Sequence, residues 1–213
     1  KDLNITSLSQ LAGRSIAVPM RYSGHNLSIR KMMEDNGLTG AINIIEMNPP
    51  DMASALASNS LDAYYVGEPF AAQTIKSGNA DILFYVEDVW ENFICNLVLV
   101  RQEFMDNNPE VITKMVQGAA RSGVWAGENP REAARIASQY WNQSAELVEY
   151  ALKTPKDRIV YDRFVPRQEE MQQIADLMLR FDLIENNDIR GLIEDRFAKD
   201  VSLDGVFGID SIL

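Results

Sequence analysis

Apolar residues return along the first part of the chain in two alternating rhythms. Short apolar runs of strand length, Ser15–Met20, Ala41–Met47 and Leu61–Val66, are separated by longer stretches in which apolar side chains recur every three or four positions. That alternation predicts βαβ units and a parallel sheet. The first helix carries Leu27, Ile29, Met32 and Met33 and is expected to stop near Asn36-Gly37. The second follows the turn Asn48-Pro49-Pro50-Asp51, with Asp51 as its expected cap and Met52, Ala55 and Leu56 facing inward. A short helix over Phe70–Lys76 closes at Ser77-Gly78, and a fourth strand is expected over 81–86. Pro19 falls at the end of the first strand, where a missing backbone donor does least harm.

The rhythm then changes. Asn92 to Val100 holds Phe93, Ile94, Cys95, Leu97, Val98, Leu99 and Val100, and reads as a buried strand. Beyond Arg101 nearly everything is helical. Asn108-Pro109 opens a helix running to about Trp125, Asn129-Pro130 opens one ending near Trp141, and Ser144 caps one over 145–152. Thr154-Pro155 ends that helix, and 156–165 reads as irregular. Met171, Ile174, Ala175, Met178 and Phe181 give a strong amphipathic helix over 167–181, and a last short helix is expected over 189–197. The expected organisation is therefore an α/β lobe over 1–91, a linking strand over 92–100 and a helix-rich part over 101–213.

Composition removes several function classes. The chain has 213 residues and a net charge of -11. Nucleic acid and anionic lipid both demand a basic surface, so neither fits as a partner. No apolar run is long enough to insert into a bilayer as a helix. The first residues lack an apolar h-region, which fits a cytoplasmic protein or a mature chain whose signal has been removed. Cys95 is the only cysteine, which leaves no disulfide or thiolate metal cluster, and its place in an apolar run reads as a small core residue. His25 is the only histidine, so a zinc site or a Ser-His-Asp triad would have to use it. Nucleophile-elbow, P-loop, dinucleotide and His-Glu-x-x-His motifs are all missing from the sequence.

The polar run Tyr22-Ser23-Gly24-His25-Asn26 is the first candidate for chemistry. It leaves a parallel strand and enters a helix, so free N–H groups and the positive end of the helix dipole face whatever lies there. Ser23 or Asn26 equally suits simple helix capping. The His25 imidazole, neutral or charged, offers a donor to an oxyanion, Arg21 offers a bidentate fork, and Tyr22 offers a ring and a hydroxyl. Glu68, in Gly67-Glu68-Pro69-Phe70, ends the third strand at the same edge. It either accepts backbone N–H bonds of the next helix or faces a ligand, where it would repel a bare anion and suit an amine-bearing or heterocyclic solute. Asn92, with Trp90 and Phe93 beside it, completes the candidates.

These runs in this order carry a family resemblance. Leu11-Ala-Gly-Arg-Ser-Ile-Ala-Val-Pro, Arg21-Tyr-Ser-Gly-His-Asn-Leu, Glu46-Met-Asn-Pro-Pro-Asp-Met, Asp62-Ala-Tyr-Tyr-Val-Gly-Glu-Pro-Phe and Asn92-Phe-Ile-Cys-Asn-Leu-Val-Leu-Val-Arg together resemble the solute-binding proteins of ATP-binding-cassette (ABC) importers. The branch they resemble serves nitrate, sulfonates, taurine and related small solutes. The resemblance implies a type II periplasmic-binding-protein fold, in which two α/β lobes close on a solute. Residues 1–91 would form one lobe, 92–100 the returning hinge strand, and 101–213 the helical part of the other lobe, whose opening strands are absent. It implies a small-molecule solute, a membrane permease as partner, a periplasmic or cell-surface location, and no catalytic residue, metal or cofactor. The matching turn, Tyr22 to Asn26, would line an interlobe cleft, with Glu68 and Asn92 near it. Helices without their sheet leave an apolar face that favours self-association. Two alternatives remain at this point: an enzyme of pyrimidine-precursor type on the same fold, and a ligand-sensing domain of a larger regulator.

Overall fold

The computed structural model describes residues 3–213. In chain order its strands are β1 (Ser15–Val18), β2 (Asn43–Glu46) and β3 (Ala63–Tyr64). Its helices are α1 (Gly24–Asp35), α2 (Pro49–Ala57), α3 (Phe70–Lys76), α4 (Gln102–Asn107), α5 (Pro109–Glu128), α6 (Pro130–Trp141), α7 (Ala145–Lys153), α8 (Gln168–Arg180) and α9 (Arg196–Lys199). The chain divides into two compact units, one of residues 1–96 with 173–188, the other of 97–172 with 189–213.

The first unit is built on a three-stranded parallel sheet of order β2-β1-β3. Ile16 lies opposite Ile44 on one side and Ala63 on the other, which fixes the register. The central strand is buried because both of its neighbours and both of its faces are covered. On one face Ile16 and Val18 pack with Leu11, Ile29 and Met33. On the other, Ala17 packs with Met52 and Leu61. Continuous apolar sequence is what a parallel strand covered on two faces requires. Asp62 pins the start of β3 to β1 by accepting from the Ser15 N–H and hydroxyl, each at 2.9 Å, and from Arg14 at 3.2 Å. The Ser15 backbone N–H is the main reason the Asp62 carboxyl lies below its ordinary pKa.

Several expected elements take a different form. Asn48, not Asp51, occupies the cap position of α2, because Pro49 fills the first helical position, where no N–H is needed. Residues 81–86 form no strand. Leu83 and Phe84 instead pack as side chains on the β1 core, so their apolar character is satisfied without a ladder. Residues 92–100 form no strand either, and Leu99 is 85% exposed. A strand needs a ladder partner for its backbone, and among the described residues no strand pairs with this run. Cys95 is exposed rather than a core residue. The helix expected over 189–197 shrinks to Arg196–Lys199. Residues 173–188, expected with the helical remainder, pack in the first unit, where Leu177 and Leu183 meet Leu27 and Trp90.

The second unit is helical. Pro109 and Pro130 occupy the first positions of α5 and α6, and the Ser144 hydroxyl accepts from Leu147 N–H at 3.2 Å to start α7. Arg121 on α5 donates to four carbonyl oxygens, those of Ser202, Asp204, Ser211 and Ile212, at 2.6 to 3.0 Å. One planar fork thereby ties the last stretch of chain to α5. Val98, Leu99, Val100, Phe104, Ile112 and Met115 line an apolar groove of about 490 Å³. Among the described residues, no helix is long and apolar enough to cross a membrane.

Candidate functional site

The order β2-β1-β3 means that the chain steps to one side of β1 and then crosses to the other. In a parallel sheet the turns at the carboxyl ends of such a pair diverge and leave a crevice. Three segments meet there. The Arg21–Asn26 turn follows β1, Glu46 ends β2, and Tyr65 follows β3.

The turn after β1 is held rigidly. The Arg21 N–H donates to the Glu46 carboxylate at 2.7 Å, and the Arg21 guanidinium reaches the Asp182 carbonyl at 3.4 Å. Ser23 caps α1: its hydroxyl oxygen accepts from Asn26 N–H at 3.2 Å and its O–H donates to the Met20 carbonyl at 2.8 Å. Asn26 is fully buried, donates to the Arg21 carbonyl and accepts from Arg30 Nε at 3.1 Å. Ser23 and Asn26 therefore build the turn.

The groups left over belong to Gly24 and His25. Among the described residues, their backbone N–H groups donate to nothing, since the helical bonds begin with Leu27 N–H on the Ser23 carbonyl. Those two donors stand at the positive end of a 12-residue helix. The His25 imidazole also has no hydrogen-bond partner among the described residues. It is gripped edge-to-face by Tyr65 at 5.1 Å and Phe93 at 5.7 Å between ring centroids. Burial among these rings pushes its pKa down to about 4, so the ring is neutral at physiological pH and presents one N–H and one lone pair. Of the two protonation states left open by the sequence, the neutral one is the resting form.

The remaining candidates sit differently. Tyr22 is 53% exposed, with the Arg21 guanidinium 5.8 Å from its ring centre. Glu68, two residues before α3, turns onto that helix and accepts the Ala72 N–H at 2.9 Å. Asn92 is exposed and takes a left-handed backbone, φ 60°, that delivers Phe93 onto α1. Sequence reading gave Tyr65 no role, because it lies in a run that reads simply as strand. Its pairing with His25 depends on which strand neighbours β1, and no local signal reports that.

Residues 5–140 match the model of the NMT1-like family. The chain belongs to the NMT1-like family. It is 29% identical, over 93% of its length, to a Bacillus subtilis protein named as an aliphatic sulfonates-binding protein. It is 22% identical, over 71% of its length, to the nitrate/nitrite binding protein NrtA of a Nostoc species. The chain spans 60% of the first relative and 36% of the second. Among solved structures, the ligand-binding component of an ABC-type import system from Staphylococcus aureus, with zinc bound, superposes with a TM-score of 0.77 at 23% identity. That match covers 89% of this chain and 64% of the other. The periplasmic aliphatic sulphonate binding protein SsuA of Escherichia coli gives 0.73 at 18% identity, covering 90% and 62%. The fold is thus the periplasmic-binding-protein fold expected from the resemblance.

Proposed function

We propose that this chain is the solute-capturing component of an ABC-type importer and that it takes a small oxyanion-bearing solute of the nitrate, sulfonate or taurine class at the first turn of α1. The observation that carries this reading is the pair of unpartnered N–H groups of Gly24 and His25, set beside a neutral imidazole with its own donor free. Neutral donors on a fixed frame suit an oxyanion that arrives and leaves unchanged, and capture of that kind needs no nucleophile or metal. The named relatives and structural neighbours are binding proteins, which supports binding over catalysis. The proposal includes a hinge at 92–100, a cleft closed by a second lobe, a membrane permease as partner, and a periplasmic or cell-surface location.

The test is thermal unfolding of the 213-residue chain with sodium nitrate, methanesulfonate and taurine. At least one is expected to raise the melting temperature in a saturable way. His25→Ala is expected to weaken the effective solute about tenfold, the scale of one lost hydrogen bond to a charged group. A folded chain that none of the three stabilises contradicts the proposal.

A further inference from the structure

The short stretch 90–94 crosses the first turn of α1 closely enough to decide which residue stands at position 24. A methyl group added to Gly24 would lie 2.7 Å from both Cε2 and Cζ of Phe93, inside any real carbon contact. The Phe93 ring is braced edge-to-face by His25, and by Trp90 at 5.6 Å, and Trp90 itself is buried against Leu27. Side chains on a helix lean toward its N-terminus. A ring that fills the place of the Gly24 side chain therefore stands beside the N–H groups of Gly24 and His25. Phe93 is only half-buried, so part of the ring surface stays open.

We infer that Phe93 is a specificity-determining residue of this site: its ring forms an apolar wall beside the first-turn N–H groups of α1, admitted by the glycine at position 24, and selects an oxyanion that carries hydrocarbon next to its charged head over a bare inorganic one. This inference rests on the site proposed above. A nitrate ion placed between the N–H groups and the ring loses water on the ring side and gains no polar partner there. An alkanesulfonate turns its oxygens to the N–H groups and its methylene groups to the ring, and both halves are satisfied.

Isothermal titration of the full chain with sodium nitrate, methanesulfonate and butane-1-sulfonate tests it, in the unsubstituted protein and in Phe93→Ala, Phe93→Leu and Gly24→Ala. The unsubstituted chain is expected to prefer butane-1-sulfonate to nitrate. Phe93→Ala should weaken butane-1-sulfonate about tenfold, the scale of two buried methylene groups, and leave nitrate within about twofold. Phe93→Leu, which keeps apolar bulk, should fall between. Gly24→Ala should follow Phe93→Ala, because its methyl evicts the ring. Equal losses for all three anions, or an unchanged ratio between them, overturns the wall while leaving the site. An unsubstituted chain that binds none of them overturns the site and the wall together.

Discussion

His25 shows how one side chain's surroundings set its chemistry. The unfolded chain protonates this ring near its ordinary pKa of 6.5, whereas the folded protein resists protonation until about pH 4. Between those values the unfolded state holds the extra proton, so stability rises with pH in that window and is lost as the pH falls from 6.5 toward 4. The full difference is about 3 kcal/mol. Chemical denaturation of the wild type and of His25→Gln at pH 7 and pH 4 should show it: the wild type loses about 3 kcal/mol more than the variant. Parallel losses would mean that the imidazole is solvated. Ser23 and Asn26 belong to the turn itself. Ser23→Ala removes the cap of α1 and should cost about 1 kcal/mol. Asn26→Ala leaves the Arg21 carbonyl and Arg30 Nε without their partner and should cost about 2 to 3 kcal/mol in the same denaturation experiment. These roles were open in the sequence, because a cap and a ligand donor draw on the same residue types.

At the scale of elements, β1, α1 and β2 were legible from pattern alone. Ile16 to Val18 is the continuous apolar run that suits a strand covered on both faces, and Ile29 and Met33 stand one helical turn apart on the face that packs against it. Helix caps were legible where a serine or an asparagine-proline pair opened an apolar period, as at Ser144 and Pro130. The failures have one physical source. Residues 81–86 and 92–100 have strand composition, but composition does not supply a neighbouring backbone. Whether an apolar run becomes a strand is settled by a partner distant in sequence. The same holds for Tyr65 against His25 and for Leu177 against Leu27, contacts that span the fold and leave no local trace. The exposure of Val98 and Leu99 makes this concrete. Val98→Thr and Leu99→Lys should each change stability by no more than about 0.5 kcal/mol, as surface substitutions do. Losses of about 2 kcal/mol or more would restore the buried strand that the sequence suggested.

For the molecule as a whole, a net charge of -11 coexists with a proposed anion site. The two are compatible because the donors at a helix terminus act within a few ångströms, whereas the excess charge is spread over the surface and screened by salt. The apolar groove around Val98, Leu99 and Phe104 is the other feature of this scale. An open apolar surface drives association in water. Sedimentation velocity should therefore show the chain associating as its concentration rises, and a Val98→Lys/Leu99→Lys double variant remaining monomeric at the same concentration. Equal behaviour of the two chains would remove the groove as the cause.

In the proposed site the N–H groups of Gly24 and His25 receive the solute. Amide resonances of ¹⁵N-labelled protein, followed while methanesulfonate is added, report on those two groups individually. Saturable shifts that are largest at Gly24 and His25 are the predicted result. A chain in which the solute binds while both resonances stay fixed would contradict it.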